Sequence, residues 1–355
     1  MATLEPAKSM TIRKMLEEQE EKILSPKAAF SSLSRGRVHP EQECPIRPSF
    51  QRDRDRIIHC KSFRRLKDKT QVFLSPSGDH YRTRLTHTLE VSQIARTIAK
   101  ALSLNETLTE AISMGHDLGH TPFGHAGEEA LNEIHPGGFK HAEQSLRVAD
   151  VLEKNGRGLN LTIEVRDGIQ RHSKGRAGLL PTPHDKSLTL EGDVVRVADT
   201  IAYVNHDVDD GMRAGIIHLE HLPRDCQTIL GTTTVGRINT MVIDVIQTTL
   251  EHDLERISMS DAVLSATLDL REYLYRKVYY NSKTDSEFTK ASKIIKELYE
   301  YYLEHPDLLP DHFNRQCSSG EDVHQAVCDY IAGMTDRFAL RLYQEIFFPK
   351  PWLVL

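Results

Sequence analysis

Residues 84–117 read RLTHTLEVSQIARTIAKALSLNETLTEAISMGHD, and this stretch decides the fold class. In its first half Val91, Ile94, Ala95, Ile98, Ala99 and Leu102 recur at threes and fours, the spacing of one helical face. Residues 84–102 are therefore expected to form a helix. Asn105 or Thr107 is placed to cap a second one, whose inner face is Leu108, Ala111, Ile112 and Gly115. The same rhythm continues outward. It predicts helices over 142–152, ended by Asn155-Gly156, over 162–172 and over 194–213. In the C-terminal third it predicts helices over 237–257, 259–281, 283–304 and 320–347. Residues 173–189 hold Gly, Pro and Ser and read as a loop. Strand patterns are few and short, and no β-α alternation points to a Rossmann sheet or a barrel, so the expected class is all-α.

The 355 residues suffice for one large domain or two moderate ones. With 39% hydrophobic and 27% charged residues, the chain has the composition of an ordinary soluble globular protein. A formal net charge of -6 supplies no global field toward nucleic acid or membrane. Cys44, Cys60, Cys226, Cys317 and Cys328 form no C-x-x-C pair, which argues against a disulfide framework and fits a reducing, cytoplasmic setting. No apolar run approaches the roughly 18 residues that a membrane span needs. Residues 1–47 are polar, with a charged stretch from Arg13 to Lys22 that suits a short helix and then loop-like punctuation. They are expected to form a partly flexible arm, ahead of a core over 48–220 and a helical region over 221–355 packed on it.

The chain has 18 histidines, and His87, His116, His120, His125, His135 and His141 fall within about 55 residues. His87 shares the apolar face of its helix with residues 91, 94 and 98. His116 ends the inner face of the next helix and is followed at once by Asp117. An isolated inward histidine is usually a hydrogen-bonded core residue. Two on consecutive helices, beside a buried carboxylate that needs a cation or several donors, point instead to a metal. A further ligand should come from a distant helix, and Asp199 is an acid inside the apolar run Val195 to Ala202.

The spacing His87, His116-Asp117, Asp199 resembles the HD superfamily, whose members bind a divalent metal by H…HD…D. The flanking residues narrow the resemblance. His116-Asp117-Leu118-Gly119-His120-Thr121-Pro122-Phe123-Gly124-His125-Ala126-Gly127-Glu128 is similar to the signature of the dGTPase-like dNTP triphosphohydrolases. So are Arg52–Ile58, Phe63–Leu66 with Lys69–Phe73, Ala198–Tyr203 with His206-Asp207 and Asp210, and Asp329–Asp336. These blocks span nearly the whole chain. One departure is Ala142 after Phe139-Lys140-His141, where the family often has Asn. The resemblance implies an HD-domain helical core with additional C-terminal helices, and hydrolysis of dNTPs to deoxynucleoside and inorganic triphosphate.

It also implies roles. His87, His116, Asp117 and Asp199 would hold a divalent metal, Mg²⁺ or Mn²⁺ first, with Fe, Ni or Zn also compatible with the donor set. His125 would be the general acid/base, Glu128 one helical turn on would orient it, and His120 would bind phosphate or orient the water. Arg84, one turn before His87, would bridge α-phosphate oxygens. Tyr203 and Asp207 follow Asp199 on one helical face. Tyr203 would pack on the sugar, and Asp207 with Gln71 would bind the 3′-hydroxyl. Asp329 and Asp336 either line the pocket or cap helices.

The cations between Arg52 and Lys69 interleave with Asp53, Asp55 and Asp68, which suits an ion-paired face. The resemblance offers a second reading, a regulatory dNTP site including His59, Arg64 and Lys67. It also implies a homo-oligomer, commonly a tetramer or hexamer. Two other functions compete: another HD phosphohydrolase such as a nucleoside monophosphatase, and a catalytically quiet binder of nucleotide or single-stranded nucleic acid. The latter would favour damaged ligands and a basic, aromatic-rich chain. Here the ligands are intact and aromatics make up 6%.

Overall fold

Helices form wherever the apolar rhythm meets a residue able to cap it. The structure, a computed structural model, describes residues 11–71, 82–173, 178–279, 282–318 and 322–350. Its helices are α1 (Ile12–Ile23), α2 (Ser49–Ile58), α3 (Lys61–Arg65), α4 (Arg84–Ala101), α5 (Glu106–Gly115) and α6 (His125–Ile134). They continue with α7 (His141–Arg147), the single turn α8 (Glu153–Gly156), α9 (Ile163–Arg171), α10 (Leu190–Arg213) and α11 (Arg224–Leu230). The last are α12 (Thr234–Glu251), α13 (Asp261–Leu274), α14 (Ser282–Glu304), α15 (Asp311–Ser318), α16 (Val323–Ala332) and α17 (Asp336–Phe347). Among the described residues there is no strand, and the isolated bridges Arg37–Thr162 and Thr70–Thr83 make no sheet. The fold is all-α.

The caps are chemically ordinary. Thr83 and Thr86 form a reciprocal capping box at the start of α4. Asn105, not Thr107, caps α5, accepting hydrogen bonds from the backbone N–H groups of Thr107 and Leu108 at 3.1 Å each. The helix expected over 142–152 loses its regular pitch. It passes from α7 into a π-helical turn, Val148–Leu152. It then ends at Lys154 and Asn155, both with left-handed backbone. The helix expected over 320–347 is two, α16 and α17, separated at Gly333–Thr335. Val72, Phe73, residues 1–10, residues 174–177 of the expected loop, residues 280–281, residues 319–321 and the Cys317 side chain lie outside the description.

Two apolar clusters flank the middle of the molecule. In the first, Val91, Ile94, Ile98 and Leu102 of α4 and its end meet Leu108 and Ile112 of α5, and Val197 and Ile201 of α10. Phe50 and Ile57 of α2 close it on one side, and Val245, Leu270 and Leu274 of α12 and α13 on another. In the second, Ala126, Ala130 and Leu131 of α6 pack on Ile295, Leu298 and Tyr299 of α14 and Ile331 of α16. Each fully buried aliphatic side chain contributes roughly 1.5–3 kcal/mol. The loop 116–124 runs between the clusters, so α4, α5 and α10 are anchored in one and α6 in the other.

The segment 25–47, read from its punctuation as loop or mobile arm, is tethered. The backbone N–H of Ser25 donates to the Ser103 carbonyl at 2.8 Å, and that of Ala29 donates to Glu191 at 2.9 Å. Arg37 pairs with the buried Asp53 and donates to the Asn160 carbonyl at 2.6 Å. Such long-range partners have no local signature.

The loop 116–124 has no room for a side chain at Gly119. A Cβ there would lie 2.1 Å from the Ser145 nitrogen, and the Gly119 N–H donates to Ser145 Oγ at 2.9 Å. Gly119→Ala should therefore cost about 1–3 kcal/mol through overpacking. A thermal melt should show the midpoint falling by several degrees, and an unchanged midpoint would mean that α7 yields freely.

Candidate metal centre and active-site cleft

The inward faces of α4, α5 and α10 meet at their polar positions. His87 of α4 and His116 at the end of α5 are buried, with ring centroids 5.6 Å apart. His87 Nε2 lies 3.1 Å from Asp199 Oδ1 of α10. His116 Nε2 lies 3.6 Å from Asp117 Oδ1 and 3.9 Å from Asp199 Oδ1. Donor atoms of His87, His116 and Asp117 thus lie within 4.8 Å of one another, and Asp199 adjoins both histidines. His116 Nδ1 donates to the Ser113 carbonyl at 2.6 Å, which leaves Nε2 as the lone-pair nitrogen. That Nε2 is buried without a hydrogen-bond partner. An orphaned imidazole nitrogen among carboxylates is what a divalent cation satisfies, so the residues fit the implied metal. Burial pushes the Asp117 carboxyl up, but the opposing pull of His116 and Arg84 holds it well below the usual carboxylate range. Asp117 stays ionised, as a ligand must.

The second wall comes from the start of α6. Phe123 (φ 63) and Gly124 (φ 58) both take positive φ, and the turn they make sets His125 as the first residue of α6 with its ring exposed to the cleft. The turn is held from below. Asp336, at the start of α17, accepts from the Phe123 N–H at 2.9 Å with one oxygen and from the Thr70 N–H at 3.0 Å with the other. Lys69, fully buried, donates to the carbonyls of His120 and Ala332. Burial, helped by nearby Arg65, pushes its ammonium down to about 7. Asp336 and Lys69 therefore tie the segment bearing Gln71 to the loop bearing His120 and His125. Asp329 is buried and paired with Arg147 at 2.6 Å, and neither Asp329 nor Asp336 lines the cleft.

Glu128 is directed to a partner not expected from the sequence. It accepts from the backbone N–H of His141 at 2.9 Å and from His141 Nδ1 at 2.8 Å. Its other oxygen is 3.7 Å from His120 Nε2. His120 stacks on His141 with ring centroids 4.7 Å apart. His141 Nε2 lies 3.2 Å from Nε2 of His172, a buried residue at the end of α9. Burial pushes His172 down to about 3, aided by His116. Burial also opposes protonation of His141, but Glu128 outweighs it and raises that ring. His141 had a signal, its place in the histidine-rich stretch. His172 had only the inner face of a helix predicted to end there.

One cavity of about 660 Å³ joins these groups. Its walls include His87, Asp117 and Asp199, then His120, His125, Glu128 and His141, then Arg84, Gln71, Tyr203 and Asp207. Of the residues expected to hold metal, act on phosphate or bind the sugar, all line it except His116, whose Nε2 is 3.6 Å from Asp117. Arg84 is buried and pairs with Asp117 at 2.8 Å. Asp207 lies one turn beyond Tyr203, and burial, reinforced by Asp210, raises its carboxyl well above the usual range. Ala142, the departure in the Phe-x-His block, is buried in the same wall.

The basic stretch is mostly ion-paired. Arg47 holds Asp55 at 2.8 Å, Arg54 holds Glu110 at 3.0 Å and Arg56 holds Glu41 at 2.6 Å. His59 and Arg64 line a separate cavity of about 440 Å³ with Arg52, Arg56 and Lys61. Lys67 is not among its walls, being 66% exposed and 3.7 Å from Asp68.

Comparison with known proteins agrees with this arrangement. Residues 84–204 match the HD domain, and residues 257–345 match the Phosphohydrolase-associated domain. The chain is 55% identical to a deoxyguanosinetriphosphate triphosphohydrolase-like protein of Caldanaerobacter subterraneus subsp. tengcongensis, over 97% of this chain and 98% of that one. It is 52% identical to a protein of that name from Desulfatibacillum aliphaticivorans, over 96% and 99%. For one from Clostridium perfringens (strain SM101 / Type A) the identity is 49%, over 96% and 99%. Among the described residues, no helix is long and apolar enough to cross a membrane.

Proposed function

Since the chain belongs to the deoxyguanosinetriphosphate triphosphohydrolase-like family of HD-domain phosphohydrolases, we propose that it hydrolyses dNTPs at the α-phosphate, releasing deoxynucleoside and inorganic triphosphate. The observation that carries this reading is the cavity lined by His87, Asp117 and Asp199, with His116 beside them, and by a histidine and carboxylate pair, a buried arginine and a tyrosine-aspartate face.

When bound by His87, His116, Asp117 and Asp199, the cation, Mn²⁺ or Mg²⁺ in this proposal, lowers the pKa of water and screens phosphate charge. The protein does the rest. Arg84, fixed by its pair with Asp117, neutralises α-phosphate oxygens. His120 adds a second contact to phosphate. A water oxygen bonds to the α-phosphorus and the bond to the 5′-oxygen breaks. His125, at the mouth of the cleft, moves the proton to that oxygen. Glu128 acts through His141, holding the latter's ring beside the phosphate. Tyr203 packs on the sugar where a 2′-hydroxyl would clash. Gln71 and Asp207 bind the 3′-hydroxyl, and the burial that raises the Asp207 carboxyl favours the form that can both donate to it and accept from it.

This last assignment has its own test. Asp207→Ala should reduce the preference for dNTP over dideoxy-NTP in kcat/KM by roughly fivefold or more, since leaving a buried polar group unsatisfied costs roughly 1–3 kcal/mol. A preference equal to that of the wild type would remove Asp207 from the sugar site.

The reading as a whole is tested by incubating the protein with each dNTP singly, then with all four, and separating products by anion exchange. Deoxynucleoside with intact triphosphate is the expected outcome. Monophosphate with pyrophosphate, or phosphate from a monophosphate substrate only, would transfer the site to another HD phosphohydrolase. Turnover confined to the mixture is expected if a dNTP effector occupies the cavity lined by His59 and Arg64, a site we place within a homo-oligomer.

A further inference from the structure

A histidine that ligates a metal through one nitrogen usually has its other N–H fixed by an acceptor, which sets the tautomer and the orientation of the ring. His116 has such an acceptor in the Ser113 carbonyl, 2.6 Å from its Nδ1. On His87 the Nε2 faces Asp199, and the Nδ1 is buried without a hydrogen-bond partner. The ring beside it is His206 of α10, edge-on at a centroid separation of 5.8 Å and an interplanar angle of 87°. His206 is buried too, and its Nδ1 also lacks a partner.

The other contacts of the two rings make these nitrogens complementary. His206 Nε2 lies 3.2 Å from Oε2 of Glu90, a carboxylate that can only accept. In the neutral ring Nε2 therefore carries the hydrogen and Nδ1 the lone pair. On His87 the roles are reversed, because Nε2 keeps its lone pair for the metal and Nδ1 carries the hydrogen. One ring offers a buried donor and its neighbour a buried acceptor, and each is costly to leave unmet. A small rotation of either ring, or one bridging water, joins them.

Glu90 is held in turn. Arg82, two residues ahead of α4, places Nε 2.9 Å from the same Glu90 oxygen and Nη1 3.3 Å from Asp210 Oδ1. The chain Asp210, Arg82, Glu90, His206 thus begins and ends on α10 and crosses to α4 between. These are the two helices that supply Asp199 and His87.

We infer that His206 is a positioning residue for the metal ligand His87. It accepts the Nδ1–H of His87, is fixed by Glu90, and is anchored through Arg82 to Asp210. The inference rests on the reading that His87 binds the metal. It gives a task to a buried histidine that is not among the walls of the cleft. The tautomer and tilt of His87 are then set from α10, the helix that also carries Asp199.

The test measures metal binding in place of turnover. Metal-stripped protein is titrated with Mn²⁺, and the free ion is followed by its EPR signal. His206→Phe keeps an aromatic ring and removes both nitrogens, and it should weaken Mn²⁺ binding by roughly 10–100-fold. His206→Asn keeps an acceptor near the place of Nδ1 and should recover most of the affinity. A packing role predicts the opposite order, because Asn fills less of the space than Phe. If His206→Phe does not fold, Glu90→Ala, at a partly exposed helical position, removes the group that fixes His206 and should also weaken binding. Wild-type affinity in His206→Phe or in Glu90→Ala would overturn the positioning role, as would weaker binding by His206→Asn than by His206→Phe. Wild-type protein that binds no Mn²⁺ would overturn the metal centre as well.

Discussion

Asp199→Ala protein, folded as judged by circular dichroism, is expected to lose both its metal and its turnover. Asp199 is the ligand that α10 brings to the centre, and its Oδ1 stands 3.1 Å from His87 Nε2 and 3.9 Å from His116 Nε2. Removing it opens one side of the ligand set and leaves the imidazoles facing a space a methyl group cannot fill with charge. A cation contributes several kcal/mol to such a reaction, and each 1.36 kcal/mol is tenfold in rate. A fall in kcat/KM on the order of 10³-fold or more is expected, with bound metal at the background of a stripped sample. Asp199→Asn keeps volume and loses charge, and should behave similarly. Full activity of either variant, with metal retained, would remove Asp199 from the ligand set.

His125→Ala should separate chemistry from metal binding. The ring is exposed to the cleft, is carried by the Phe123-Gly124 turn and lies outside the metal-competent donors. Its loss should reduce kcat by roughly 10²–10⁴-fold, the usual worth of general acid/base help. Metal content and KM should stay near wild type. Added imidazole should restore part of the lost rate, because the cleft is open at that point and a small base can enter. A purely structural role would instead lower the melting temperature and resist rescue. Unchanged turnover would remove His125 from proton transfer.

Much of this site was legible in the sequence because its parts lie on regular helices. His87 sits on a face marked by Val91, Ile94 and Ile98, so the period alone turns it inward. Asp199, Tyr203 and Asp207 are spaced by fours on α10, and the cavity receives all three from one direction. What could not be read there depended on chain reversal. Glu128 lies closer in sequence to His125, one turn away, than to His141, which stands 13 residues on. Only the bend between α6 and α7 directs the carboxylate to the latter.

The same holds for partners with no local pattern. Asp336 fastens the Phe123 turn to the backbone beside Gln71 from more than 200 positions away. Lys69 looked like one more charge of an ion-paired face, yet it is buried with its ammonium on two carbonyls. Lys67, two residues earlier, took the solvated place. Alternation of charge along the chain does not say which cation turns inward. The arm over 25–47 carries the same lesson, since Arg37 finds Asp53 and Asn160 only once the core exists.

The central claim is attack of water on the α-phosphorus, and hydrolysis in H₂¹⁸O tests it most directly. Products from a dNTP would be resolved by ³¹P NMR and mass spectrometry. The account predicts one ¹⁸O in the inorganic triphosphate, on a terminal phosphorus, and none in the deoxynucleoside. Label in the deoxynucleoside, or in pyrophosphate released beside a monophosphate, would contradict it.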